Sequence, residues 1–188
     1  MAMSDVNPTD SQRGRAAVRL RLRPTMQSDL EFVLSLEQDD ANLPFITPWD
    51  RVQHEGAIRF PDFRHFIIEG GVGLDAVGFM ILIGCRSRHQ SLELKRMVVR
   101  DKGQGYGRAA LRMTKKVAFD DLGAHRLWLD FKSHNTRARA LYESEGFIVE
   151  GTLREAVRVA SGFDSLVVMS MLQPEFIARR GRALELPA

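Results

Sequence analysis

The chain has 188 residues, 44% hydrophobic and 27% charged, which is the balance of one globular domain and excludes a disordered or collagen-like chain. Twenty-seven Lys and Arg against 24 Asp and Glu leave a formal net charge of +3, enough to admit an anionic ligand without requiring nucleic acid. The single cysteine, Cys85, excludes an internal disulfide and any multi-thiolate metal site, and its apolar surroundings read as a small buried thiol.

Residues 1–16 are polar, carry Asn7-Pro8 and Gly14, and show no periodicity, so they read as a disordered leader. They lack the apolar core of a secretory signal, and no run approaches the ~18–20 apolar residues of a membrane span. A cytoplasmic setting without a membrane partner is therefore expected. Val18 to Arg23 alternate apolar and basic residues, the pattern of a half-buried strand ended by Pro24. Ser28 or Asp29 then caps a helix whose apolar stripe is Leu30, Val33 and Leu34.

From Asn42 to Asp62 the pattern is irregular, with Pro44, Pro48 and Pro61 beside Phe45, Ile46, Trp49 and Phe60. Such a segment is either a packed surface loop or the wall of a substrate pocket. Two apolar runs, His65–Glu69 and Ala76–Leu82, flank Gly70, Gly71 and Gly73 and predict a β-hairpin. Leu92–Val99 predicts another strand.

Lys102-Gly103-Gln104-Gly105-Tyr106-Gly107-Arg108 follows that strand and precedes a helical stripe of Ala110, Leu111, Thr114, Val117, Ala118 and Leu122. Strand, glycine turn and helix together form an anion cradle. The glycines permit close backbone approach, several N–H groups converge, and the helix N-terminus adds partial positive charge. A phosphate-bearing ligand is expected. The run lacks the spacing of a P-loop, and Arg108 stands where a dinucleotide fingerprint needs glycine.

Further on, His125–Phe131 reads as a strand, and Asn135–Glu143 as a short helix with an Asn N-cap and Gly146 as its stop. Ala138, Leu141 and Tyr142 share one face of it. Phe147–Arg158 and Leu166–Leu172 read as a final strand pair joined near Ser161–Asp164. The five histidines, His54, His65, His89, His125 and His134, show no metal-ligand spacing, and no metal is expected.

Several of these segments, in this order, resemble the GNAT superfamily of acyl-CoA-dependent N-acetyltransferases, in the branch of the ribosomal-protein N-terminal and spermidine acetyltransferases. The resembling residues are Leu94–Val99, Lys102–Arg108, Asn135-x-x-Ala138-x-x-Leu141-Tyr142, Gly146-Phe147 and Glu150-Gly151-x-x-Arg154, continuing through Gly162, Asp164 and Met169. Two features depart from the family pattern: Lys102 stands where Arg or Gln is usual, and the Arg100-Asp101 connection is short.

The resemblance implies an α/β (α+β) fold: one GNAT-like domain with a mixed central sheet, a splay between two parallel strands and helices on both faces. It would span residues 17–175, with 176–188 as a C-terminal tail. It implies acetyl-CoA as co-substrate, with its pyrophosphate on the amides of Gly103, Gln104, Gly105, Tyr106, Gly107 and Arg108 beside Lys102. Its pantetheine would pair with Val98 and Val99, and a backbone N–H around Met97 to Val99 would polarise the carbonyl. Ala138 belongs to the same binding surface.

Acetyl transfer to an amine needs a neutral nucleophile, a stabilised carbonyl oxygen and a proton for the leaving thiolate. Tyr142 matches the family tyrosine that donates to the thiolate. Asn135 matches an asparagine that holds CoA or water, and it also reads as a plain N-cap. Glu93 is the candidate general base, with a solvated carboxylate facing Lys95 as the equal alternative. A protein α-amine, with a pKa near 7.7–8, needs little help from a base, whereas a lysine-like amine costs about 4–5 kcal/mol to neutralise at pH 7. The acceptor is accordingly a protein N-terminus or a small amine, and a homodimer is compatible with the chain. A catalytically silent acyl-CoA-binding module is the rival reading. Scattered arginines without an aromatic platform argue against nucleic-acid binding.

Overall fold

The computed structural model describes residues 19–185, so the leader expected over 1–16 lies outside the described residues. Seven strands form one sheet in the order β1-β2-β3-β4-β5-β7-β6. In chain order they are β1 (Leu20–Pro24), β2 (Phe63–Gly70), β3 (Asp75–Ile83), β4 (Ser91–Val99), β5 (Arg126–Lys132), β6 (Ile148–Val159) and β7 (Gly162–Leu172). The helices are α1 (Leu30–Glu37), α2 (Arg51–Arg59), α3 (Tyr106–Lys116), α4 (Thr136–Ser144) and α5 (Gln173–Glu185). All strand pairs are antiparallel except β4 with β5.

The alternating arginines of β1 are not a strip for nucleic acid. Arg21 and Arg23 donate to Glu69 at 2.7 and 2.6 Å, and Arg23 also holds Asp29 at 2.7 and 2.8 Å. The stretch read as irregular contains α2. Asp50 accepts from the Gln53 amide at 2.8 Å while Gln53 accepts from the Asp50 amide at 2.9 Å, a reciprocal capping box. The pattern hides this helix because its buried residues are His54 and Ala57, one of them polar. Residues 173–185 are helical, and in α5 Phe176 stacks on Phe119 at 4.9 Å, so the start of the segment set apart as a tail is joined to the core.

The core lies on both faces of the sheet. Ile68, Met80, Leu82, Leu92 and Leu94 pack toward α3 with Leu127, Leu129 and Phe131, and Ala138, Leu141 and Tyr142 of α4 close against them. Val33 and Leu36 of α1 pack on Ile67, Phe79, Ile81 and Val98 on the opposite face. In β4, Ile81 pairs with Arg96 and Leu82 with Leu94, which leaves Lys95 as the extra residue of a β-bulge. The bulge shifts the alternation: Leu92 and Leu94 face α3, and so do Met97 and Val99, while Arg96 and Val98 turn toward α1.

β4 and β5 pair only where Ser91, Leu92 and Glu93 meet Arg126, Leu127 and Trp128. Beyond this, β4 stays paired with β3 as far as Val99, and β5 stays paired with β7 as far as Lys132. Each strand is held by its outer neighbour, so the two part and leave a wedge between them.

Candidate active site

The wedge opens into a cleft of about 740 Å³, within the range of small-molecule and cofactor sites. One wall is β4 from Leu94 to Val99, and the other is Asp130–Lys132 of β5 with Asn135, Ala138, Leu141 and Tyr142 of α4. The glycine turn forms one end, and residues 45–49 form the opposite side.

Gly103 and Gly105 have φ values of 80° and 83°, a backbone region that favours glycine. With these dihedrals the turn leads directly into α3. The first bond of that helix runs from the Ala109 amide to the Gly105 carbonyl at 3.1 Å. The amides of Tyr106, Gly107 and Arg108 therefore precede the ladder and have no intrahelical acceptor, as an anion at a helix N-terminus requires. The Arg108 guanidinium is committed elsewhere, donating to Glu145 and Ser144 at 2.8 Å each. Its backbone, not its charge, is what the turn offers. The Tyr106 ring packs into the core side, near Gly70. Lys102 also turns inward: its Nζ donates to Asn42 Oδ1 at 2.7 Å and to the Val99 carbonyl. Burial holds its ammonium below the usual lysine range.

Tyr142 reaches the cleft from α4, its ring 5.5 Å from that of Phe131 and 5.9 Å from that of Phe147. Burial pushes its hydroxyl up to about 12, with the Asp130 carboxylate adding to the rise. It thus stays protonated across the physiological range. Asn135 accepts from the Ala138 amide at 3.1 Å and also lines the cleft, so the N-cap and wall roles coexist.

Of the residues singled out in the sequence, Met97, Val98, Val99, Lys102, Gly103, Gly105, Gly107, Arg108, Asn135, Ala138 and Tyr142 line this one cleft. Gln104 and Tyr106 belong to the turn, but their side chains are not part of the lining. Glu93 also lies outside it. It occupies the last position at which β4 still pairs with β5, and its carboxylate holds Lys95 Nζ at 3.1 Å.

The far wall is set by charges that sequence reasoning passed over. Arg96 donates to Glu37 Oε2 at 2.9 Å and to the Thr47 carbonyl at 2.9 Å, and its guanidinium lies 5.7 Å from the Trp49 ring centre. Glu37 also accepts from the Trp49 amide at 3.1 Å. Lys132 Nζ and His134 Nε2 both reach the Pro44 carbonyl at 3.1 Å. The segment 44–49 is therefore pinned against both strands, which resolves its reading in favour of a pocket wall. The turn near 161–164 does not line the cleft. Asp164 acts at one remove, 4.0 Å from Lys132 and 3.6 Å from His134. The legible trace of this wall was Arg96, a charge at a buried position of an apolar strand.

A sheet parted between two parallel strands, with a glycine turn at a helix start and a tyrosine facing the gap, defines an acyl-CoA-dependent transferase. The family model described as the acetyltransferase (GNAT) domain matches residues 19–148. The chain belongs to the GNAT family and is an acetyl-CoA-dependent N-acetyltransferase. It is similar to the spermidine N(1)-acetyltransferase of Vibrio cholerae, 24% identical over 172 residues that cover 86% of this chain and 97% of that protein. Among solved structures, the Vibrio cholerae spermidine N-acetyltransferase in complex with CoA and spermine superposes with a TM-score of 0.76 at 23% identity, covering 84% of this chain and 98% of that one. A dodecameric form of the Vibrio cholerae enzyme gives 0.72 at 24% identity, over 85% and 97%. Among the described residues no three His, Cys, Asp or Glu side chains come together to hold a metal ion, and no helix is long and apolar enough to cross a membrane.

Proposed function

We propose that the chain transfers the acetyl group of acetyl-CoA to the primary amine of a small molecule by direct attack on the thioester. The observation that carries this reading is the shared cleft, in which the glycine turn, the end of β4 that has parted from β5 and Tyr142 border the same 740 Å³. The amides from Gly103 to Arg108 take the pyrophosphate, and Val98 and Val99 pair with the pantetheine. A β4 amide between Met97 and Val99 polarises the carbonyl, and Tyr142 protonates the leaving thiolate. Asn135 fixes the start of α4 and faces the co-substrate. The relatives named above act on spermidine or bind spermine, which favours the small-amine half of the expectation over a protein N-terminus.

A cytoplasmic setting remains part of this proposal, and so does assembly with further copies. The dodecameric relative supports assembly, as does the edge strand β6, which exposes Ile148, Val149 and Leu153.

The test is thiol release from acetyl-CoA with a panel of amines that includes spermidine, spermine and N-terminal peptides. Turnover on a small amine is expected. Tight CoA binding with no turnover on any acceptor would point instead to a silent acyl-CoA sensor, and absence of CoA binding would sink both readings.

A further inference from the structure

Two of the side chains lining the cleft are acidic, Asp101 and Asp130. Asp101 sits at the glycine turn beside Arg100, 3.3 Å away, at the end where phosphate is held. Asp130 lines the cleft from β5. It lies half-buried and, among the described residues, its carboxylate has no hydrogen bond and no ion pair. The cations lining the cleft have other contacts: Arg96 with Glu37, Lys132 with the Pro44 carbonyl, Lys102 with Asn42, Lys95 with Glu93, Arg108 with Glu145, and Arg137 over the Phe45 ring at 5.8 Å. The Asp130 oxygens stay open to the cleft rather than sealed in the core, so the carboxylate is available to a cationic ligand.

The alternation of β5 decides which way Asp130 faces. Leu127, Leu129 and Phe131 belong to the core on the α3 and α4 side. Trp128, Asp130 and Lys132 therefore face the other side, where Lys132 meets Pro44 and Arg96 meets Thr47 and Trp49. Tyr142 enters from the α4 side. An acid and a carboxylate thus border the gap from opposite faces, which provides separate places for the incoming amine and the leaving sulfur.

We propose that Asp130 is the catalytic carboxylate that binds the acceptor's ammonium and takes its proton, in place of Glu93. This rests on the acetyl-transfer reading above. The ammonium gives one proton to Asp130, and the freed nitrogen lone pair attacks the thioester carbonyl carbon. The C–N bond forms, the C–S bond breaks, and its electron pair goes to sulfur. The thiolate takes the proton of the Tyr142 hydroxyl. The second nitrogen proton leaves through solvent and restores the hydroxyl, and Asp130 releases its own to water. One proton is liberated per turnover. The charged and titratable groups facing Asp130 are Arg96 from β4, Tyr142 from α4 and Lys132 on its own strand. The carboxylate helps keep Arg96 charged against burial.

The experiment compares Asp130→Asn and Glu93→Gln with wild type, measuring acetyl-CoA turnover with spermidine and the amine panel from pH 7 to 10 and CoA affinity by calorimetry. Asp130→Asn is expected to keep CoA affinity within about twofold and to lose about 100-fold or more in acceptor kcat/KM at pH 7. The loss should shrink as pH approaches the acceptor's own pKa, because the amine then arrives neutral. Glu93→Gln is expected to stay within a few-fold of wild type. Wild-type kcat/KM in Asp130→Asn, or the large loss in Glu93→Gln instead, overturns the assignment and leaves acetyl transfer standing. Wild-type protein that binds CoA but acetylates no amine overturns both. Should Asp130→Asn fail to fold, Asp130→Glu decides: a changed acceptor kcat/KM with intact CoA affinity supports the assignment, and unchanged kinetics overturn it.

Discussion

Lys102 Nζ lies 2.7 Å from Asn42 Oδ1, a contact spanning 60 residues that ties the glycine turn to the start of the pocket wall. Asn42 in turn donates from Nδ2 to the Leu36 carbonyl at 2.9 Å, so the end of α1, the wall and the turn are joined in series. The basic residue before the turn is therefore a tie between elements of the fold.

Removing that tie leaves the Asn42 amide oxygen and the Val99 carbonyl without their donor. Lys102→Met is expected to destabilise the fold by about 1–3 kcal/mol, a fall in Tm of several degrees for a chain of this size. The KM for acetyl-CoA should rise, because the turn loses its anchor. Thermal denaturation and acetyl-CoA titrations check both. An unchanged Tm would mean that the contact contributes nothing in solution.

Tyr142→Phe keeps the ring against Phe131 and Phe147 and removes a hydroxyl that makes no hydrogen bond within the described chain. Stability and CoA affinity should hold, while kcat falls by about 100-fold or more, as for loss of a positioned acid. Stopped-flow detection of free thiol separates this from a binding defect. Retention of full kcat would remove Tyr142 from the chemistry.

How much of this was legible in the sequence follows from which constraints are local. Gly103 and Gly105 were readable because their φ near +80° requires a residue type that local patterning exposes. Asn135 and Gly146, which bracket α4, were readable for the same reason. The bulge at Lys95 was not, since one extra residue in a strand changes which face every later side chain takes without altering the composition. Arg96 was missed on that account, and Glu37 and Asp130 because their meaning depends on what faces them from other elements rather than on their own spacing. The helix α2 escaped because its inward face carries a histidine whose partners, His65 and Glu37, lie on other elements.

Glu145 closes α4 and gathers three cations from α3: Arg108 at 2.8 Å, Arg112 at 3.0 Å and Lys115 at 2.9 Å. Burial by itself would raise its carboxyl, but the hydrogen bonds from Arg112, Lys115 and Arg108 outweigh it and pull the group down to about 2. Its stabilising contribution is therefore complete above the ordinary value of 4.5 and is lost as pH falls from there toward 2. Glu145→Gln leaves the buried Lys115 without its counter-ion. The expected cost is about 3 kcal/mol, the low end for a broken buried pair because Arg108 and Arg112 are half exposed. The glycine turn shifts with α3, so KM for acetyl-CoA should rise as well. Urea denaturation at pH 7 and at pH 3 measures the difference, which should be much smaller at pH 3.

His54 and His65 make the opposite kind of pH dependence. Both are buried: His54 Nδ1 lies 3.0 Å from His65 Nε2, and His65 Nδ1 lies 2.9 Å from Thr25 Oγ1. Burial pushes His54 down to about 4, with Arg96 adding, and His65 down to about 3, with His54 adding. Above pH 6.5 both rings are neutral, folded or unfolded, and nothing is lost. Below 6.5 the unfolded chain takes up protons that the folded chain refuses, so stability falls with pH until the folded values are reached. Two such groups give a slope of at most about 2.7 kcal/mol per pH unit. Glu37, whose Oε1 lies 3.6 Å from His54 Nε2 and whose carboxyl burial raises even against the pull of Arg96, works against this. It gains its proton in the folded chain first, so the net slope is shallower than the two histidines alone would give. Unfolding free energies from pH 7.5 down to 5 should decline accordingly, and His54→Gln should flatten the decline. A stability that stays level from 7.5 to 5 in wild type would show that the pair is protonated, or open to water, in the folded chain.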